Sequence, residues 1–401
     1  MFALVLLVGL PIVTVTGLLS YVAYAPQLGT ALPRDVGWLH LPIFDWPTRP
    51  VWLYRLNQGL HVSLGILLVP VVLAKLWSVI PKLFSWPPAR SIAQVVERLS
   101  LALLVGSILF EIITGVLNIQ YNYVLGLDFY TAHYYGAWVF IAAFLVHVTL
   151  KLPIMIGALR SRSLRKELRT PLAETRPEPA DVHGLVATDP APPTISRRGV
   201  LALVAGGSLA VTAVSLGATL SDNLRGAALL SPRGQSGGDG PNGFPVNKTA
   251  STAGIRSTDV GASWRLTLTG AGAPIMLDRA ALLAMPQRTA HLPIACVEGW
   301  STTQTWTGVR LVDLATACGI PNPSSARVTS LQVGGLFSEA ALTGGQVADP
   351  DAQLALKVNG ENLSLDHGFP ARIIVPALPG VHNTKWVRAI EFRVRDDASL
   401  P

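Results

Sequence analysis

Cys296 closes an apolar run, His291-Leu-Pro-Ile-Ala-Cys296, and Val-Glu298-Gly-Trp300-Ser301 follows it. A strand that ends on a cysteine beside a turn presents a single sulfur, and as a thiolate that sulfur can bind a soft metal. A lone cysteine is also a common small core hydrophobe. Cys318 is the only other cysteine, so an exported domain could also hold a 296–318 disulfide. Two cysteines exclude a disulfide framework, a paired-cysteine zinc site and a cysteine-ligated iron–sulfur cluster.

Three of the eight histidines, His61, His133 and His147, fall in or at the edge of segments apolar enough to cross a bilayer. Ionisable groups there are costly and mark function. His133 and His147 are 14 residues apart, about 21 Å of helical rise and nearly four whole turns, so both face one side. Neutral imidazoles so spaced suit one or two haem irons, with partners on other helices. His61 lies 14 residues before Lys75, while His133 lies 18 and His147 four before Lys151. If the two lysines mark one interface, His61 matches the depth of His133 on the outer side, and His147 lacks a histidine partner. Arg55 is placed to meet a haem propionate or to serve as an interfacial arginine. Glu111 faces a quinol pocket or proton path, or is a protonated carboxyl bonded within the bundle.

The elements that must position these groups follow from composition. The chain has 401 residues, 50% hydrophobic and 14% charged, with a mean hydropathy of +0.43. Soluble domains carry about a quarter charged residues, so a wholly soluble or a disordered chain is excluded. The net charge of +7 reflects loop topology and points to no nucleic-acid partner. Five segments can span a bilayer of about 20 residues: Phe2 to Tyr24, Trp52 to Leu73, Leu99 to Leu117, Gly136 to Leu150 with extensions, and Val200 to Leu220. Basic residues cluster after the second span (Lys75, Lys82, Arg90, Arg98) and after the fourth (Lys151 to Arg169), which puts both segments in the cytoplasm. The fifth span then ends outside, and everything beyond about Ser221 is extracytoplasmic. Ser196-Arg197-Arg198 ahead of that span is either a positive-inside anchor or a twin-arginine export signal. Pro- and Arg-rich residues 159–195 and Gly-rich residues 231–243 read as linkers. From about residue 250, short alternating runs near 264–269, 327–333 and 371–375 predict strands, and helical signals fall at 279–284 and 311–318.

Residues 250–401 resemble the sulfite oxidase-type molybdopterin domain, and the Cys-Val-Glu-Gly-Trp-Ser form resembles its bacterial branch, the exported catalytic subunit of protein-methionine-sulfoxide reductase. The resemblance makes Cys296 the molybdenum ligand. A second stretch, Asp366-His367-Gly368-Phe369-Pro370-Ala-Arg372 through Gly380-Val-His382-Asn383-Thr384-Lys385-Trp386, matches the family in order. It implies that His367, Arg372, Asn383, Thr384 and Lys385 hold the pterin and its phosphate, with His382 in the same loop. Asn242, in Gly240-Pro-Asn242-Gly-Phe-Pro-Val-Asn247-Lys248, either enters the pocket with its segment or belongs to a plain linker. Glu298 would repel a sulfite dianion, so a neutral sulfoxide or N-oxide is the expected substrate. Residues 1–158 resemble the four-helix di-haem b-type cytochromes of formate dehydrogenases and hydrogenases, although the first span here lacks a histidine.

The expected architecture is an all-α transmembrane bundle of four helices (1–158), a cytoplasmic linker (159–195), a fifth anchor helix (196–221), an outer linker (222–249) and an α+β molybdopterin domain (250–401). The expected function is a multi-pass cell-membrane enzyme that couples quinol or quinone, through haem b, to oxygen-atom transfer on a small or protein-bound oxo substrate. A haem-free anchored or sulfite-oxidising enzyme with a separate electron partner, and a non-enzymatic relay or docking module, are the alternatives.

Overall fold

The computed structural model describes residues 2–28, 43–84, 92–120, 129–176, 191–220, 226–230, 240–296, 300–334 and 338–394. The expectations placed on Arg90, Glu298 and residues 177–190 and 231–239 of the two linkers lie outside these residues. Five long helices are apolar enough to cross a membrane among the described residues. They are α1 (Phe2–Ala23), α2 (Leu53–Leu83), α3 (Ile92–Gln120), α4 (Phe129–Ser161) and, after the short α5 (Leu164–Arg169), α6 (Arg197–Leu220). Both His133 and His147 stand on α4. By internal contact the chain divides into two units, residues 1–14 with 63–215 and residues 15–62 with 216–401.

In the first unit, Val72 and Leu76 of α2 pack with Val105 of α3. Lys151 of α4 pairs with Glu97 of α3. Arg197, the first of the arginine pair, bonds Glu167 of α5 at 2.8 Å.

The second unit contains the mixed domain. One sheet runs in the order β2 (Ile275–Leu277), β1 (Leu266–Thr269), β10 (Val387–Arg393), β5 (Ser325–Ser330), β6 (Glu339–Thr343). The other runs β3 (Arg288–Ala295), β4 (Ser301–Arg310), β7 (Gln353–Val358), β8 (Glu361–Asn362), with β9 (Arg372–Ile374) also on β7. Helices α7 (Arg279–Ala284), α8 (Leu311–Ala317) and α9 (Gly344–Ala348) connect the strands. Asp278 caps α7 by accepting from the Ala281 amide at 2.8 Å, and Thr343 caps α9 with Gln346 in a reciprocal box. The alternation read from sequence near 264–269 and 327–333 becomes the inward face: Leu266, Leu268 and Val328 are buried, as is Ile390 of β10, a strand the sequence reading did not mark.

Residues 43–62 belong to this unit, which the sequence pattern did not indicate. The Trp46 indole N–H donates to the Ala377 carbonyl at 2.8 Å, and Gln346 donates to the Trp46 carbonyl at 3.4 Å. Arg49 bonds Asp349 at 3.1 Å and also reaches Asp351, which Arg288 holds at 2.6 Å from the other side. Val22, Ala23, Trp46 and Tyr54 share one buried cluster with Leu266, Ala295 and Leu378. Trp46 and Tyr54 are therefore part of the core of this unit, with Arg49 tied to its edge.

Candidate active site

Strand β3 ends at Ala295, so Cys296 stands at a strand end as the sequence implies, its amide bonded to the Trp300 carbonyl at 2.9 Å. A bridge from Ala295 to Pro379 lays the 380–385 loop along that end. The loop folds back over β9. Ile373 donates to the Thr384 carbonyl at 2.9 Å, and Val375 donates to Asn383 Oδ1 at 2.9 Å. These ladders bring residues about 70 positions apart to one cleft, whose lining includes Cys296, Trp300, His367, Arg372 and Lys385.

Cys296 and Cys318 are not joined to each other, so the disulfide alternative is not realised. Cys318 caps the end of α8 in the core, and burial pushes its thiol up.

The cations of the cleft are buried. Arg372 is 6% exposed; its guanidinium donates to the carbonyls of His367 and Asn383, each at 3.2 Å, and lies over the Trp306 ring at 5.6 Å. Burial lowers it to about 10, while the neighbouring Cys296 sulfur pulls it upward. Lys385 donates to the carbonyls of Lys248 and Asp366. Burial, and next the charge of Arg372, hold it well below its ordinary value. Among the described residues no carboxylate lies within salt-bridge distance of either cation. Two buried cations satisfied only by carbonyls are costly without an anion. The buried Asn383 Nδ2 and Thr384 Oγ1 also have no protein partner. The guanidinium and ammonium that line the cleft suit a phosphate on a pterin, and the Cys296 thiol in the lining fits molybdenum. Asn383 and Thr384 stand in the same loop as Lys385 but, like His382, are not among the lining residues.

His367 is 3% exposed. Its Nε2 faces the Phe244 carbonyl at 3.1 Å, and since a carbonyl only accepts, Nε2 carries the hydrogen. Nδ1 then accepts from Ser364 at 2.8 Å. His367 thus enters the lining with both nitrogens engaged by the protein. Gly368 sits at φ +110°, and a Cβ there would lie 3.1 Å from Lys385 Cβ. Gly368→Ala is expected to cost about 1–3 kcal/mol of stability and to displace Lys385, read as a lower thermal midpoint together with loss of molybdenum.

Two other sequence candidates take different places. Asn242 donates to the Asn362 carbonyl at 3.0 Å and accepts from the Ser364 amide at 2.9 Å. It is a latch between loops, while Phe244 to Asn247 of its segment line the cleft. The buried His382 ring turns toward Tyr24, edge to face at 5.9 Å, and is not among the lining groups.

Burial holds both His367, with Arg372 adding to it, and His382 down at about 4. In the unfolded chain each titrates near 6.5. Between these values the unfolded state binds more protons, so stability rises with pH. Full stability is expected above about pH 7, with a loss of roughly 3 kcal/mol per histidine as pH falls toward 4. Denaturant unfolding at pH 7 and pH 5 measures this, and His367→Gln should remove its share of the slope.

Two of the three membrane histidines, His61 and His133, are each held by a threonine–glycine step on the neighbouring helix. His61 Nδ1 lies 3.4 Å from Thr16 Oγ1, and a Cβ on Gly17 would meet its Cε1 at 2.9 Å. His133 Nδ1 lies 3.1 Å from Thr114 Oγ1, and a Cβ on Gly115 would meet its Cε1 at 3.2 Å. Glu111 Oε2 is 3.2 Å from the same His133 nitrogen. The repeated Thr-Gly pair was visible in the sequence but acquires meaning only once the helices pair. His147 is half-buried on α4 within electrostatic reach of Lys75, Lys151 and Glu97. Arg55 reaches Thr303 of β4 at 3.4 Å.

Residues 253–400 match the oxidoreductase molybdopterin binding domain family. The chain is 33% identical to a sulfite oxidase of Arabidopsis thaliana over 125 residues, covering 26% of this chain and 32% of that protein. It is 30% identical to the uncharacterized oxidoreductase YuiH of Bacillus subtilis over 139 residues, covering 32% and 65%. It is 29% identical to the putative protein-methionine-sulfoxide reductase subunit YedZ1 of Azospira oryzae over 155 residues, covering 37% and 55%. In each case the chain spans less than two thirds of the relative's length. The similarity to the oxidoreductase molybdopterin binding domain thus lies in the C-terminal residues 253–400, which include Cys296 and the cleft residues His367, Arg372 and Lys385.

Proposed function

We propose that the chain is a membrane-bound enzyme that draws electrons from quinol through haem b in its helices. It uses them outside the cytoplasm to remove an oxygen atom from a sulfoxide or N-oxide. The observation that carries this reading is the cleft, which brings the Cys296 thiol together with the two buried cations Arg372 and Lys385. A molybdenum–molybdopterin group bound there supplies two-electron oxygen-atom transfer. Cys296 offers the sulfur ligand. Arg372 and Lys385 hold the anionic end, with Asn383 and Thr384 in the loop of Lys385. His367, neutral above about pH 4, keeps Ser364 and the Phe244 backbone in place. Phe244, Ile294 and Trp300 form an apolar wall that excludes water. With both cations engaged by the cofactor, that wall suits a neutral oxo group better than a dianion such as sulfite.

Three further observations support the membrane half. Thr114 gives its proton to the Phe110 carbonyl at 2.7 Å, so its oxygen accepts from His133 Nδ1, and Nε2 becomes the ligating nitrogen. His61 has a like threonine contact. The basic segments that flank α2 and α4 favour an extracytoplasmic domain. The Arg197-Arg198 pair fits export after the cofactor is inserted.

Metal analysis with a dithionite-reduced optical spectrum of the detergent-solubilised chain tests the reading. The expected result is molybdenum near one per chain with a b-type haem band. Molybdenum without haem overturns the electron route, and its absence from protein made in a cofactor-competent host overturns the whole. A quinol-driven screen of sulfoxides and N-oxides against sulfite oxidation then decides the substrate class.

A further inference from the structure

We propose that Tyr54, Tyr24 and His382 form the electron bridge between α2, the helix that carries His61, and the cofactor cleft. The inference rests on the reading above, in which His61 serves a haem and the cleft a molybdenum cofactor. Both ends and the bridge lie within the unit formed by residues 15–62 and 216–401.

Tyr54 precedes His61 by seven residues on α2, about two turns or roughly 10 Å of rise. It is 1% exposed. Its hydroxyl lies 3.2 Å from Ser20 Oγ and 3.3 Å from Gln58 Oε1, and the Tyr24 hydroxyl is within hydrogen-bonding reach. Tyr24 in turn meets the His382 ring edge to face at 5.9 Å. His382 belongs to the loop that supplies Asn383, Thr384 and Lys385. On its other side Tyr54 shares a buried cluster with Ala295, the residue before Cys296. The Trp46 ring, 6.2 Å from that of Tyr54, closes the flank and bonds the Ala377 carbonyl. The path from α2 runs along the helix to Tyr54, across the hydroxyl contact to Tyr24, through the rings of Tyr24 and His382, and enters the cleft along the loop backbone from His382 to Lys385.

The polar character of the bridge needs a reason. Ser20, Tyr54 and Gln58 are all buried, where apolar residues would pack without a desolvation cost. Their bonds fix the phenol between the helix and the cleft, and such departures from apolar packing mark functional sites. Oxidation of one quinol to quinone releases two electrons and two protons. Reduction of one sulfoxide to thioether and water takes up two of each. The electrons cross the bridge singly, and the protons exchange with solvent at either end.

The test uses the full chain loaded with haem and molybdenum. It is reduced with stoichiometric dithionite and mixed with a sulfoxide, and haem reoxidation is followed optically by stopped flow. Tyr54→Leu and Tyr24→Leu are each expected to slow reoxidation at least about tenfold, with the haem spectrum and molybdenum content unchanged. Tyr54→Phe, which keeps the ring, should recover most of the rate. Trp52→Leu, which removes an exposed ring just before α2, should leave it unaltered. A wild-type rate in whichever leucine variant retains both cofactors overturns the bridge. A wild-type chain with no haem band, or with a haem that sulfoxide does not reoxidise, overturns instead the function on which the bridge rests.

Discussion

Cys296→Ser is expected to lower oxygen-atom transfer by at least about a hundredfold, close to 2.7 kcal/mol of lost transition-state stabilisation, with little change in the domain's thermal midpoint. Serine is nearly isosteric and fits at the end of β3, where the backbone, not the sulfur, makes the bond to Trp300. What it removes is a soft, readily ionised ligand, replaced by a hard hydroxyl that does not ionise at neutral pH. Cys318→Ser provides the opposite control. Cys318 packs in the core at the end of α8, against Gly270, so the hydroxyl should cost stability and leave turnover intact. Turnover with a reduced dye, molybdenum content and thermal unfolding of both variants check the pair. If Cys318→Ser proved the inactive one, the assignment of the ligand to Cys296 would fall.

Much of this site was legible because its residues lie in two compact stretches, the end of β3 and the span from Asp366 to Trp386. The runs that became β1 and β5 alternate with period two, and the sheet faces follow from that alternation, whereas β9 is buried on both faces. The docking of residues 43–58 left no such mark. Trp46 bonds a carbonyl 331 residues away, and Arg49 pairs with a carboxylate 300 residues away. A tryptophan near a span end looks like an interfacial anchor whether or not a domain packs on it. Asn242 shows the reverse problem. An amide two residues before the cleft wall has the right chemistry for a ligand, and only the register of Asn362 and Ser364 shows that both its polar ends serve the fold. His382 likewise sits in the right loop, but its ring packs edge to face on Tyr24, the residue that follows α1.

Arg372→Met is expected to have effects of opposite sign on cofactor retention and on the stability of the cofactor-free chain. In the loaded protein the guanidinium has an anion to meet and two carbonyls to bond. A hydrogen bond to a charged group contributes about 1.5–3 kcal/mol, so its loss should lower pterin occupancy by at least about tenfold. In the cofactor-free chain the same group is a fully buried cation with no carboxylate among the described residues to balance it, and burial already lowers it to about 10. Methionine keeps the volume and removes the charge, and replacing a poorly compensated buried charge by an apolar side chain is often stabilising by about 1–4 kcal/mol. The carbonyls of His367 and Asn383 lose their donor, which offsets part of that gain. The net expectation for cofactor-free protein is an upward shift of about 2–4 °C in thermal midpoint, against a downward shift for protein purified from a cofactor-competent host. Arg372→Lys keeps the charge without the planar fork and should fall between the two in occupancy. If Arg372→Met lowered the midpoint equally in both preparations, the residue would be a structural cation of the fold. The anion-binding role of this end of the cleft would then have to pass to Lys385 alone.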